Sequence, residues 1–217
     1  MMTTPIVVYG AGGHAKVVLD ILRLNSLEVV AVLDDEPTKT GLHFGGCPIS
    51  RASAALAGLM QQKIPAVVAI GDNTLRAQAA QRILNAGGHL HTVVHPAAVI
   101  GSDVTLGAGT VVMAGVVINA GAAIGANVIL NTACSVDHDC SLGDHTHISP
   151  GARLGGQVHV GAYTQIGIGA SVLPGITIGS HVVVGGGAVV IHPIPSHAVA
   201  YGVPARVHRM KNETNNR

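Results

Sequence analysis

"VVMAGVVINAGAAIGANVIL", residues 111–130, repeats itself every six positions, with Val112, Ile118, Ile124 and Leu130 in the same place in each unit. The frame extends in both directions. From Val94 to Val190, 17 positions spaced six apart are all Val, Ile or Leu. The residue after each is Gly in nine cases and Asn, Asp or Ser in four more, and these are turn formers. The residue two before is usually small or β-branched, as at Val104, Thr110, Val116, Ala122 and Val128. A helix would repeat at 3.6 and a flat strand at 2, so neither alone explains a period of six. A short strand followed by a corner does, with one aliphatic side chain pointing inward per face. Three faces make a coil of roughly 18 residues, so the run gives about 5 to 6 coils stacked at about 4.8 Å.

Composition fits a narrow core. Of 217 residues, 11% are charged, 2% are aromatic and 29 are Gly, so the interior must be built from aliphatic side chains with close backbone packing. A net charge of +1 supplies no long-range field for nucleic acid or for a membrane surface. No apolar run reaches the length of about 18 residues that a transmembrane helix needs, and the start "MMTTPIVVYGAGG" (1–13) has no signal-peptide pattern. Cys47, Cys134 and Cys140 are an odd number without metal-type spacing, which suits a reducing, cytoplasmic setting.

Ahead of the repeat the period is different. "IVVYG" (6–10), "EVVAVLDD" (28–35) and "AVVAIGDN" (66–73) read as strands, and "KVVLDILRL" (16–24), "RASAALAGLMQQ" (51–62) and "TLRAQAAQRILNAG" (74–87) as helices. Such alternation predicts a parallel α/β sheet. The expected organisation is a Rossmann-like α/β domain over 1–92, a β-helix over 93–192, and a C-terminal segment and tail over 193–217. The polar end "KNETNNR" (211–217) is expected to be disordered. Within the first domain, "GAGGHA" (10–15) follows a strand and opens a helix. Gly12 and Gly13 let backbone amides approach a ligand, and the helix N-terminus favours phosphate. Asp34 and Asp35 end the next strand, where acids bind ribose hydroxyls in dinucleotide sites. The third glycine position is Ala15, and the domain is small for a full dinucleotide, so a nucleotide-sugar is the better expectation.

The repeat carries one polar cluster, "NTACSVDHDCSLGDHTHISPGA" (131–152). His138, Asp139 and His147 fall outside the inward positions, so they cost the fold little and are open to chemistry. A neutral His is the usual general base. A neighbouring carboxylate would fix its tautomer, and a second His could donate to a thioester oxygen as charge develops there. Cys134 and Cys140 each lie two residues before an anchor, the inward small position, and read as core rather than as acyl carriers. His145, His181, His192 and His197 read as solvated corner residues.

The repeat over 94–192 resembles the left-handed parallel β-helix of hexapeptide-repeat acyltransferases. More closely, "YGAGGHAKVV", "LDD", "AIGDN", the 131–152 cluster, "GIGASVLPGITIG" and "GGGAVV" resemble, in the same order, a family of sugar acetyltransferases. These are the UDP-4-amino-sugar (bacillosamine-pathway) and GDP-perosamine N-acetyltransferases and the sialic acid O-acetyltransferases. The resemblance implies an acetyl-CoA-dependent enzyme that needs no metal. It implies His138 as base, Asp139 (usually Glu) raising its basicity, and His147, Ile168 and Gly186 contacting acetyl-CoA. It implies a nucleotide-linked amino sugar held by Gly12, Gly13, His14, Asp34 and Asp35, a homotrimer, and no nucleic-acid or membrane partner. The expected acceptor is the 4-amino group of a UDP- or GDP-linked 4-amino-6-deoxy sugar, in surface glycan synthesis. The alternatives are sialic acid O-acetylation and, further off, a metal-dependent β-helix hydratase of γ-carbonic anhydrase type using some of His138, His145, His147 and His159.

Overall fold

The computed structural model describes residues 4–211; the expected disorder of the C-terminal end falls mostly on 212–217, outside the described residues. The chain forms two compact units that divide between Pro96 and Ala97.

In the first unit, β1 (Thr4–Tyr9), α1 (Gly13–Leu24), β2 (Leu27–Asp34), β3 (His43–Phe44), β4 (Cys47–Arg51), α2 (Ala52–Gln61), β5 (Ala66–Val68) and α3 (Asn73–Asn85) follow in order. The sheet order is β3-β4-β2-β1-β5. β1 pairs parallel with β2 and β5, and β4 parallel with β2. This is the α/β arrangement expected, with one addition. β3 and β4 form an antiparallel hairpin, which the sequence reading leaves out because "HFGGCPISR" is short and glycine-interrupted. β1 is apolar on both faces, with Ile6, Val7, Val8 and Tyr9 all buried, as a central parallel strand should be. α2 and α3 share one core with β1, β2 and β5, through Leu56, Met60, Ala79, Ala80 and Ile83 against Val7, Leu33 and Val68.

The second unit is a left-handed parallel β-helix. Two-residue strands repeat on three sheets. One holds Val117–Ile118, Ser135–Val136 and Arg153–Leu154; the next holds Ala123–Ile124, Ser141–Leu142 and His159–Val160; the third holds Ile129–Leu130, His147–Ile148 and Gln165–Ile166. Partners are 18 residues apart throughout, for example Val117 with Ser135 and Ile129 with His147, so 18 residues make one coil. From Val112 to Val190 every anchor is buried, while Val94, Ile100 and Leu106 in the first coil are not. The small positions are equally sealed: Cys134 and Cys140 lie inside. Burial pushes the Cys134 thiol up to about 12 and also raises that of Cys140, so neither is a thiolate near neutrality.

The corners show a regularity that the six-residue frame did not reveal. The third residue after each anchor, from Asp103 to Gly187, has φ between 54° and 78° at all fifteen positions. Seven of these are glycine; the other eight include Asn127, Asp139, His145, Tyr163 and His181. The left-handed conformation disfavours side chains by about 1–2 kcal/mol, and Asn, Asp and His tolerate it best. Beyond the repeat, Ala198–Tyr201 joins the third sheet in parallel and turns back as Arg206–Met210 in an antiparallel hairpin. The sequence reading assigned no element there, because these strands leave the six-residue frame.

Candidate active site

The first unit holds a cavity of about 1070 Å³. Its floor is the turn after β1. Gly10 has φ +117°, and a Cβ there would lie 2.7 Å from the Ala69 carbonyl oxygen, so this glycine is required by the fold itself. Gly12 and Gly13 differ: a Cβ on either would meet no protein atom within 4 Å. Their smallness leaves the backbone open on the cavity side. Gly12 caps α1 without a side-chain hydrogen bond, which leaves the amides of the first turn for a ligand.

The two acids at the end of β2 divide their work. Asp34 Oδ2 accepts from the Ala11 amide (2.8 Å) and from Lys39 Nζ (3.0 Å), and its Oδ1 accepts from the Glu36 amide. Burial works to raise the Asp34 carboxyl, but these donors outweigh it and hold it below the usual range. Asp34 therefore also clamps the glycine turn. Asp35 is half exposed and accepts from Tyr9 Oη (2.9 Å) and from Arg82. Both acids, with Gly12, Gly13 and His14, line the cavity. His14 sits mostly buried, its Nε2 shut off without a hydrogen-bond partner. Burial, and then Arg76, lower its pKa to about 4, so the ring is neutral. Arg76 was not singled out in the sequence. It is 1% exposed and donates to the Ile70 and Gly71 carbonyls and to Asn73 Oδ1, bracing the "AIGDN" turn from beneath.

In the second unit, His138 and Asp139 occupy the corner between the first and second sheets. Asp139 takes the left-handed position, which brings its Oδ2 back to within 2.9 Å of His138 Nδ1. With Nδ1–H donating to the carboxylate, Nε2 carries the lone pair. The hydrogen bond to Asp139, reinforced by the charge of Asp137, raises the pKa of the exposed His138 ring. His147 lies elsewhere, on the outward side of the third sheet. Its Nε2 is 3.0 Å from Asn131 Nδ2, and Asn131 Oδ1 accepts from the Thr132 amide. That second bond fixes the amide orientation, so Nε2 of His147 accepts and its proton sits on Nδ1. Asn131 is a further residue missed in the sequence; it lies diagonally across one coil from His147, a relation that a period of six conceals. Ile168 and Gly186 are together at the corner after the third sheet, where the Gly187 amide donates to the Ile168 carbonyl. Ile168 is 66% exposed.

His145 and His181 are not solvated bystanders. With Asn127, Tyr163 and His197 they form a ladder along the corner between the second and third sheets. Asn127 Nδ2 bonds His145 Nδ1 at 3.0 Å. The rings then follow at 4.8, 4.8 and 4.9 Å from His145 through Tyr163 and His181 to His197, the last two contacts stacked. His192 is exposed, as expected.

A β-helix with a hydrogen-bonded histidine–carboxylate corner, preceded by an α/β unit with a phosphate-type turn, is the arrangement of a hexapeptide-repeat transferase. Residues 5–83 match the PglD N-terminal domain, and residues 97–132 match the bacterial transferase hexapeptide (six repeats). The crystal structure of PerB from Caulobacter crescentus in complex with CoA and GDP-perosamine is 42% identical, covers 94% of this chain and 97% of that one, and superposes with a TM-score of 0.88. The acetyltransferase domain of PglB from Neisseria gonorrhoeae, in complex with acetyl coenzyme A, is 35% identical, with coverage of 95% and 100% and a TM-score of 0.87. The UDP-N-acetylbacillosamine N-acetyltransferase of Bacillus subtilis is 37% identical over 109 residues, 48% of this chain. The match spans about half (49%) of that relative's length. The chain belongs to this family of sugar N-acetyltransferases, in which a PglD-type N-terminal domain precedes hexapeptide repeats. Membership displaces the hydratase alternative. Among the described residues no three His, Cys, Asp or Glu side chains are grouped to hold a metal ion, and no helix is long and apolar enough to cross a membrane.

Proposed function

We propose that the protein transfers the acetyl group of acetyl-CoA to the 4-amino group of a nucleotide-linked 4-amino-6-deoxy sugar, in surface glycan synthesis in the cytoplasm. The observation that carries this reading is the exposed His138–Asp139 pair on a hexapeptide β-helix, with Nδ1 bonded to the carboxylate and Nε2 on the opposite edge of the ring. The amine nitrogen attacks the thioester carbonyl. As the C–N bond forms, His138 Nε2 takes the proton that the nitrogen must lose. Collapse of the tetrahedral intermediate breaks the C–S bond, and the CoA thiolate leaves and is reprotonated. Asp139 stabilises the imidazolium. His147, with its proton on Nδ1, is a donor for the thioester oxygen or for CoA, and Ile168 and Gly186 flank the CoA. In the first unit, Gly12, Gly13 and the start of α1 take the diphosphate, while Asp34, Asp35 and His14 line the nucleoside cavity.

His138 projects from the corner between the first two sheets, and His147 from the third sheet, across the prism. A site that uses both draws them from two copies, which supports a homotrimer with the cleft between neighbouring β-helices. Activity is tested with UDP-, GDP- and dTDP-linked 4-amino sugars and with sialic acid as acceptors. Turnover of sialic acid alone would overturn the N-acetyl assignment. The composite site is tested by co-expressing His138→Ala and His147→Ala chains. Random mixed trimers should recover about a quarter of wild-type sites, whereas a site within one chain recovers none.

A further inference from the structure

The His138 corner is built from three successive coils, with Ala120 one coil before His138 and Gly156 one coil after it. Asn119 stands one coil before Asp137, and its Nδ2 donates to Asp137 Oδ1 at 2.7 Å. The same oxygen accepts from the His138 backbone amide at 2.8 Å. The segment is also tied through its main chain: the Asp139 amide donates to the Ala120 carbonyl, and the Gln157 amide to the His138 carbonyl. One coil after His138 comes Gly156. A Cβ at Gly156 would lie 2.4 Å from His138 Nε2 and 2.6 Å from Cε1. The backbone of Gly156 is not in the left-handed region, so alanine fits there conformationally. The three atoms nearest to its methyl would all belong to the imidazole.

We propose that Gly156 and the Asn119–Asp137 pair are positioning residues for His138. Gly156 leaves the ring room to lie over the corner, its Nε2–Cε1 edge next to the space that a Cβ would fill. The pair fixes the backbone from which the ring projects, and Asp137 places a second carboxylate beside it. This arrangement rests on the general-base reading of His138. It also makes Asp137 a working residue, although in the sequence it looks like a bystander. Asp137 is held in the charged form first by the Asn119 hydrogen bond and then by the His138 amide, so its charge is present at neutral pH.

Three variants test this in steady-state acetyl transfer with acetyl-CoA and the best nucleotide amino sugar. Gly156→Ala should lower kcat by at least about tenfold, with KM for both substrates within about twofold, because a misplacement near 1 Å costs up to about a hundredfold. Asp137→Asn should move the acid limb of the kcat/KM profile to lower pH, a shift that a merely structural role would not produce. Asn119→Ala should lower kcat in the same direction and by less; as an exposed surface change, it also guards against a folding defect in the glycine variant. If His138→Ala loses activity while Gly156→Ala keeps kcat within about threefold and Asp137→Asn leaves the limb in place, the positioning role is wrong. If His138→Ala itself stays active, it is the general-base reading that has failed.

Discussion

Two corners of the β-helix use the same backbone device for opposite ends. Both place a residue three after the anchor in the left-handed conformation, coil after coil. Along one corner the residues are Asn127, His145, Tyr163, His181 and His197, and each ring rests on the next. Along the other, Asp139 has Gly121 above it and Gln157 below, and a Cβ at Gly121 would lie 2.7 Å from Asp139 Oδ1. The neighbouring His138 lies over Gly156 with no ring above or below. Stacking consumes the faces of the first set of imidazoles. Glycine neighbours leave the second one unfilled and ionisable. Histidine count does not tell the two corners apart; what stands one coil away does, and it leaves the His138 corner open for the proposed general-base role.

The contrast can be broken most directly by alanine. His138→Ala should cut acetyl transfer by about 10²–10⁴-fold and leave the melting temperature unchanged, since the ring is exposed. Its counterpart, His181→Ala, should leave kcat within about twofold but lower stability by about 1 kcal/mol, in the range of one aromatic contact, read by denaturant melts. A result with the two roles exchanged would falsify the comparison. Acidity sharpens it further. The pKa of His138 lies above its usual 6.5, chiefly through Asp139, and the base works only when neutral. Activity should therefore fall as pH drops through a value above 6.5, and Asp139→Asn should move that limb lower. For His181 the sign is reversed. Burial, then His197 and Lys211, depress its pKa, so the unfolded chain binds the proton first. The ladder's contribution is present above pH 6.5 and is lost as pH falls below it through the depressed value, giving a melting temperature that declines toward pH 5. The smallest effect is expected at Cys140→Ala, whose transfer rate should stay within about twofold, because the thiol is buried and protonated.

How much of this is legible in the sequence depends on the period applied. Six is enough for the β-helix, for the inward placement of Cys134 and Cys140, and for the outward placement of His138 and His147, since all follow from distance to an anchor. Eighteen is needed for the rest. Asn119 with Asp137, His138 with Gly156, and the ladder from Asn127 through Tyr163 to His181 are all pairs or series 18 apart. Three faces imply the coil length, but a six-residue frame puts His145 and His181 at corners without showing that Tyr163 stands between them. In the first unit the strand and helix alternation carried the sheet. The β3–β4 hairpin and the brace at Arg76 did not show, since a single buried arginine in an otherwise amphipathic helix looks like any surface charge.

The constant register of the solenoid makes it an address system. Because strand partners within the six-residue repeat are 18 residues apart, moving a side chain 18 places along the chain translates it by about 4.8 Å along the axis and leaves its direction unchanged. Six places instead rotate it to the next face. Position along the sequence thus converts into height and azimuth with almost no other variable. A histidine–aspartate dipeptide could be lifted from residues 138 and 139 to 156 and 157 and arrive as the same corner, one storey higher. An enzyme built this way can retune the distance between base and cofactor in fixed steps without touching its core.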